Sequence, residues 1–304
     1  MYSIIYVDDE PDLLDIGKIF LEMTGRFQVD TMESAALALE RIRTTNYEAI
    51  ISDYQMPGMD GISFLKAIRN EFPDLPFIIF TGKGREEVVI EALNSGADHY
   101  LQKGGDPQSQ FAELAHNIDL SVERRRSKAT IIHLNRIYSM VSRMSRAMVN
   151  IGERQEFLNE ACRIGVEEGK FLMTWIGMVD TQTQEVHPVA ACGYEEGYLS
   201  HLSIRADNVP QGMGLTGITI REGHPTFVND IQTDPRMANY RSEAGKRGYR
   251  SSAGVPIKTG KNIVGAMRFY SGETNFFNEQ EIHLLQEIVD NISFALEMHE
   301  KRKL

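Results

Sequence analysis

Over the first hundred residues, short apolar runs alternate with helix-patterned segments, and few architectures satisfy that alternation. Tyr2-Ser3-Ile4-Ile5-Tyr6-Val7 is one run, Ala49-Ile50-Ile51-Ser52 another, Phe77-Ile78-Ile79-Phe80 a third and Tyr100-Leu101 a weaker fourth. Runs this short, without strict polar alternation, suit strands covered on both faces. Between them apolar residues recur at helical spacing: Leu13, Leu14, Ile16, Gly17, Phe20 and Leu21, then Ala35, Leu37, Leu39 and Ile42, then Ile62, Leu65 and Ile68. Strand then helix, about five times over, predicts an α/β doubly wound, five-stranded parallel sheet wrapped by helices. This unit is expected to span residues 1–122.

A helical linker is expected over 123–152, since the pattern from 106 to 151 is helical and has no proline after Pro107. Its segment Glu123-Arg124-Arg125-Arg126-Ser127-Lys128 is charged and expected to be exposed. Beyond it, Ile131, Leu134, Tyr138, Val141, Ser145 and Met148 follow 3-4-3-4-3 spacing. That spacing fits a short coiled-coil seam and equally an amphipathic helix lying on the next unit.

Residues 153–304 have a different texture. A helical start (Phe157, Ala161, Ile164) leads to strand-like 172–179, a turn at Asp180-Thr181-Gln182-Thr183 and a partner strand at Val186 to Ala191. Gly193 to Tyr249 is rich in turn formers and predicts loops with short helices. Strands at 251–257 and 263–270 flank a polar turn, a hairpin signal. Asn278, with Glu281 three positions on, is a helix N-cap candidate before a long final helix. The expectation is an α+β domain on an antiparallel sheet.

Composition narrows the function classes. The chain has 304 residues with 32 Lys and Arg against 43 Asp and Glu, a net charge of −11. Such acidity repels phosphate backbones and argues against nucleic-acid binding. Its two cysteines, Cys162 and Cys192, form neither a disulfide framework nor a zinc motif, which fits a reducing compartment. No apolar run approaches the roughly 20 residues that cross a bilayer. A soluble cytoplasmic protein with no membrane partner is expected.

Chemistry-bearing residues stand where the first unit's strands end. Asp8 and Asp9 follow the run at 2–7, Asp53 the run at 49–52, Thr81 the run at 77–80, and Lys103 comes just past 100–101. In an open parallel sheet, ligands bind in the crevice at those carboxyl ends. Three close carboxylates repel one another and call for a cation, and oxygen ligands suit Mg²⁺. One carboxylate can then attack a phosphoryl group while a hydroxyl and an ammonium hold its oxygens. Each signal alone has a plainer explanation: Asp8-Asp9-Glu10 before Pro11 as a helix cap, the segment after Asp53 as a turn, Lys103-Gly104-Gly105 as a solvated loop. Their order at successive strand ends argues for one shared site.

These motifs resemble those of two-component receiver domains. The matching stretches are Val-Asp-Asp-Glu-Pro at 7–11, Ser-Asp-Tyr-Gln-Met-Pro-Gly-Met-Asp-Gly at 52–61, Phe-Thr-Gly at 80–82 and Ala-Asp-His-Tyr-Leu-Gln-Lys at 97–103. The resemblance implies Asp53 as phosphoacceptor from a histidine kinase. It implies Asp9 and Asp53 as direct Mg²⁺ ligands with Asp8 assisting and the Gln55 backbone carbonyl as another ligand. Thr81 and Lys103 would hold phosphoryl oxygens, and Tyr100 matches the aromatic whose rotamer follows Thr81. The Gln55 and Lys83 side chains occupy positions that tune phosphoaspartate hydrolysis in the family. One departure is Gly104-Gly105, where many receivers place proline after the lysine.

Residues of about 153–300 are similar to GAF domains through Gly212-Met213-Gly214-Leu215-Thr216-Gly217, Val228-Asn229-Asp230-Ile231, Asp234-Pro235-Arg236, Arg247-Gly248-Tyr249-Arg250-Ser251-Ser252, Val255-Pro256-Ile257 and Gly265-Ala266. These are signals of fold, and the cofactor or ligand of this unit is unknown from them. Cys162, Cys192 and Trp175 are expected to be structural, His187, His201 and His224 to lie apart on loops, and 212–217 to be a turn. The combined expectation is a phosphorylation-controlled signalling protein, not a separate enzyme, with no DNA-binding output. Its second unit senses a small molecule, or serves only as a docking or dimerisation scaffold. A homodimer through the linker and terminal helices is also expected.

Overall fold

The computed structural model describes residues 1–82, 86–201 and 203–301. It divides into two compact units, residues 1–131 and 132–304. In the first, β1 (Tyr2–Val7), α1 (Pro11–Met23), β2 (Phe27–Met32), α2 (Ala35–Thr44), β3 (Ala49–Ser52), α3 (Gly61–Glu71), β4 (Phe77–Thr81), α4 (Glu86–Asn94) and β5 (His99–Gln102) alternate. α5 (Pro107–Asn150) follows and contributes residues to both units.

The five strands pair in parallel in the order β2-β1-β3-β4-β5. Successive side chains point to opposite faces, and each face has its own core. Ile4 and Tyr6 pack with Leu14 and Leu21 of α1 and with Phe111, Leu114 and Ile118 of α5. Ile5 and Val7 pack with α2, α3 and α4 through Ala38, Ile42, Phe64, Leu65, Ile68 and Ala92. Both faces are covered, so the strands carry unbroken apolar runs. β2 escapes the apolar-run criterion because Gln28, Asp30 and Thr31 interrupt it. It is an edge strand, where polar side chains are tolerated.

In the second unit, α6 (Arg154–Glu167), β6 (Met173–Val179), β7 (Val186–Gly193), α7 (Leu215–Glu222), β8 (Thr226–Val228), α8 (Arg241–Lys246), β9 (Ser251–Thr259), β10 (Asn262–Ser271) and α9 (Glu279–Lys301) follow. The antiparallel sheet has the order β7-β6-β10-β9-β8. One face packs on α6, α9 and the last turns of α5; the other is roofed by α7, α8 and their loops. The β9–β10 turn is Gly260-Lys261, tighter than the expected 258–262, with Gly260 at φ +58°. Asn278 caps α9 as expected, its Oδ1 accepting the Glu281 N–H at 2.9 Å.

From Ile137 onward, α5 belongs to the second unit and lies on that unit's core through Met140, Met144 and Ala147, flanked by Ile137, Val141 and Met148. The amphipathic-helix alternative therefore holds there, on a stripe shifted from the expected seam. Leu134, Tyr138 and Ser145 face away from that core.

Candidate functional site

β1, β3, β4 and β5 run parallel in one sheet, so their carboxyl ends share an edge. Two backbone bonds fix the loops as they leave it. The Asp53 N–H donates to the Val7 carbonyl at 2.8 Å, and the Lys103 N–H donates to the Thr81 carbonyl at 2.7 Å. The Lys103 ammonium then sits between two acids, its Nζ 2.6 Å from Asp8 Oδ2 and 2.9 Å from Asp53 Oδ1.

Each acid has further partners. The Gln55 N–H donates to Asp53 Oδ2, the Tyr6 hydroxyl donates to Asp8 Oδ2 at 3.1 Å and the Glu10 N–H donates to Asp8 Oδ1. Asp8 is 0% and Asp53 5% exposed. Burying such charges is costly unless they are paired and hydrogen-bonded, and here they are both. Burial works to lower the Lys103 pKa, but hydrogen bonds and charge from Asp53 and Asp8 outweigh it and raise it. Burial, then the charge of Asp8, raises the Tyr6 phenol far above its usual range, so it stays a donor. Tyr6 was not singled out from sequence. Its signal is the two-residue spacing to Asp8, which puts both on one side of the chain.

Thr81 ends β4 with its side chain buried, and Tyr100 stands half-buried on the adjacent β5. Burial, then the charge of Asp53, raises the Tyr100 phenol. The loop after Asp53 closes on itself through the Gly61 N–H to Tyr54 carbonyl bond, 2.8 Å, and Asp60 caps α3. Gly61 is required there, because a Cβ would fall 2.3 Å from the Asp53 carbonyl oxygen. Gly104 and Gly105 have φ of +145° and +87°, a backbone path that glycine takes without strain. Lys83 lies outside the described residues.

Asp9 is exposed and lines an open hollow with Tyr54, Gln55, Met56, Pro57 and Asp60. Among the described residues no three acid, histidine or cysteine side chains converge as a ready metal cage. Asp8 and Asp53 are instead bridged by Lys103, with Asp9 on the rim. The donor set nonetheless fits a hard divalent cation. It is all oxygen, and three carboxylates against one ammonium leave two negative charges uncompensated.

In the second unit Cys162 is buried, and burial pushes its thiol up to about 12. Cys192 is half-buried and Trp175 fully buried. His187 and His224 each sit beside a single glutamate, Glu185 and Glu222; the His201 side chain lies outside the described residues. Gly212 to Gly217 is more than the expected turn: Gly214 is the N-cap of α7, whose first residues line a cavity.

The response regulator receiver domain family matches residues 4–115 and the GAF domain family residues 153–297. Response regulator Rre1 of Synechocystis is 35% identical over 107 residues, 34% of this chain and 46% of that protein. Response regulator SaeR of Staphylococcus epidermidis is 34% identical over 108 residues, 36% of this chain and 46% of that protein. The chain thus spans under half the length of these relatives. A Francisella response regulator receiver domain of known structure is 31% identical, covering 41% of this chain and 98% of that one, with a TM-score of 0.38. The strand-end acids and bridging lysine of the first unit, and the antiparallel sheet of the second, have their explanation in those two matches: residues 4–115 are a response regulator receiver domain, and residues 153–297 are a GAF domain.

Proposed function

We propose that the protein is a phosphorylation-controlled signal transducer of a two-component or phosphorelay system, acting in the cytoplasm. The observation that carries this is Asp53, a buried carboxylate at a strand end held by the Lys103 ammonium and the Gln55 N–H. An Asp53 carboxylate oxygen attacks the phosphorus of a phosphohistidine on a histidine kinase. The P–N bond breaks and its electron pair stays on the imidazole nitrogen. Lys103 and the Thr81 hydroxyl receive the phosphoryl oxygens, and Tyr100 reports the change at Thr81. Asp8, Asp9, Asp53 and the Gln55 carbonyl would hold Mg²⁺, which supplies charge neutralisation at the phosphoryl group. The chain catalyses no other reaction in this reading. Its GAF domain binds a small molecule, and the coupling between the two domains is reciprocal by linkage. Output runs through protein contacts, in keeping with an acidic surface that repels nucleic acid.

Incubation with acetyl phosphate tests the reading by intact-mass measurement. One phosphoryl group is expected on the chain with Mg²⁺ and none after chelation. Equal labelling with and without the metal would refute it.

The scaffold alternative, a GAF domain that docks or dimerises without a ligand, is favoured by one feature. Leu134, Tyr138 and Val149 of α5 and Phe294 of α9 are exposed apolar side chains, Tyr138 at 74%. Such residues suit a second copy of the chain. Light scattering is expected to give a dimer for the wild type and a monomer for Tyr138→Glu, with unchanged circular dichroism. A monomeric wild type would remove the dimer.

A further inference from the structure

Arg268 lies inside the second sheet, on β10, and is 1% exposed. Gly254 stands opposite it on β9, and the guanidinium crosses the space a side chain would fill there: a Cβ on Gly254 would fall 2.5 Å from Arg268 Nη1. Nη2 donates to Ser252 Oγ at 2.6 Å. Nε and Nη1 have no hydrogen-bond partner, and no carboxylate pairs with the group among the described residues. Burial raises the phenols of Tyr198 and Tyr240 nearby, so neither supplies the missing negative charge at neutral pH. A buried cation without a counter-charge is costly, and native structures retain one where something meets it.

The space beside it limits what that is. Arg268 lines a cavity of about 20 Å³ with Tyr198, Tyr240, Tyr270, Leu215 and Thr216. One water needs roughly 10–15 Å³, so the cavity has room for one body of that size and excludes a carboxylate or a phosphate. α7 begins in the same wall with Gly214 as its N-cap, and no side chain caps it. The N–H groups of a first turn lack partners within their helix and carry partial positive charge. Gly214 also lets Tyr240 close against the helix start, since a Cβ there would meet that ring at 2.8 Å. Two separate sources of positive potential, one of them an unpartnered guanidinium, thus border one small space walled by aromatic rings. A water accepts from such donors but leaves the charge of Arg268 unbalanced. An anion of a single atom meets both needs.

We propose that this cavity binds a halide ion, chloride in a cell. The ion accepts from the Arg268 guanidinium and the first turn of α7, and the three tyrosines close the space around it. A halide is little wider than a water molecule, and its one negative charge balances the one buried positive charge. The site goes beyond the signalling reading and does not depend on it. Acetyl phosphate labelling of Asp53 tests the one, and the halide dependence of the second domain tests the other.

The test is hydrogen exchange by mass spectrometry on the full chain, followed over β9, β10 and α7 as sodium gluconate is replaced by sodium chloride, bromide or sulfate at constant ionic strength. An ion bound only by the folded domain slows exchange through unfolding in proportion to its concentration above Kd, about 100-fold at 100 times Kd. Chloride and bromide are expected to do so and to slow exchange more than sulfate, which is too large to enter. General salt effects give the opposite order, because sulfate strengthens apolar burial. Arg268→Met, which removes the buried charge, is expected to lose the halide dependence. The proposal is overturned if chloride slows exchange no more than sulfate does, or if Arg268→Met keeps the dependence. Should Arg268→Met fail to fold, wild-type crystals soaked in bromide decide: an anomalous peak is expected against the Arg268 guanidinium, and its absence overturns the proposal.

Discussion

Asp53→Asn is expected to take up no phosphoryl group from acetyl phosphate and Mg²⁺, a loss of about 100-fold or more relative to wild type. The reason is chemical before it is structural. An amide oxygen carries no full negative charge, so it cannot form the acyl phosphate bond at a useful rate. The variant should still fold. Asn has nearly the same shape, and its side-chain oxygen can accept from the Gln55 N–H as Asp53 Oδ2 does. Lys103 would keep Asp8 at 2.6 Å, so the buried ammonium is not orphaned. The stability cost should stay near 1–2 kcal/mol, the scale of one weakened charged hydrogen bond. Unchanged far-ultraviolet circular dichroism with no labelling supports Asp53 as acceptor. Labelling that persists in Asp53→Asn moves the acceptor elsewhere and removes the central residue of the proposed function.

The first domain was legible from sequence because its site consists of strand ends, and strand ends are visible. Asp53, Thr81 and Lys103 each follow or close an apolar run, and parallel pairing brings such positions to one edge regardless of loop detail. What stayed hidden was the role of Lys103 as a bridge between Asp8 and Asp53, because spacing along a chain carries no distances. β2 stayed hidden too, since an edge strand need not be apolar on both faces. The second domain shows the opposite limit. Arg268 stands in Val264-Gly265-Ala266-Met267-Arg268-Phe269-Tyr270, where one charge in an apolar strand looks like a solvent-facing residue. Only the roof formed by α7, α8 and their loops buries it, and that roof comes from a turn-rich segment with weak periodicity. The α5 stripe erred for a related reason. A 3-4 pattern through Leu134 and Tyr138 and another through Met140, Met144 and Ala147 coexist on one helix, and the partner surface selects between them.

Lys103→Met is expected to destabilise the first domain by about 3 kcal/mol in the absence of divalent metal, the low end for removing one partner of a buried ion pair. Asp8 and Asp53 are both buried, and among the described residues the ammonium is the side-chain cation that touches them. Taking it away leaves two carboxylates facing the space it filled. The bonds from Tyr6 and Glu10 to Asp8 and from Gln55 to Asp53 survive, which argues for the low end of the range. The measurement must be local, because two domains need not unfold together and the single tryptophan, Trp175, lies in the second. Hydrogen exchange by mass spectrometry over β1 and β3 serves. Protection there should fall in Lys103→Met while β6, β9 and β10 are unchanged. Mg²⁺ should then restore part of the loss, by about 2.7 kcal/mol at 100-fold excess over its dissociation constant. At the same Mg²⁺ concentration the gain should exceed that of the wild type, where Lys103 already supplies one positive charge and weakens metal binding. Full protection of β1 and β3 in the metal-free variant would show that the two acids do not depend on Lys103. A variant that loses protection but gains nothing from Mg²⁺ would show that these carboxylates do not hold the metal.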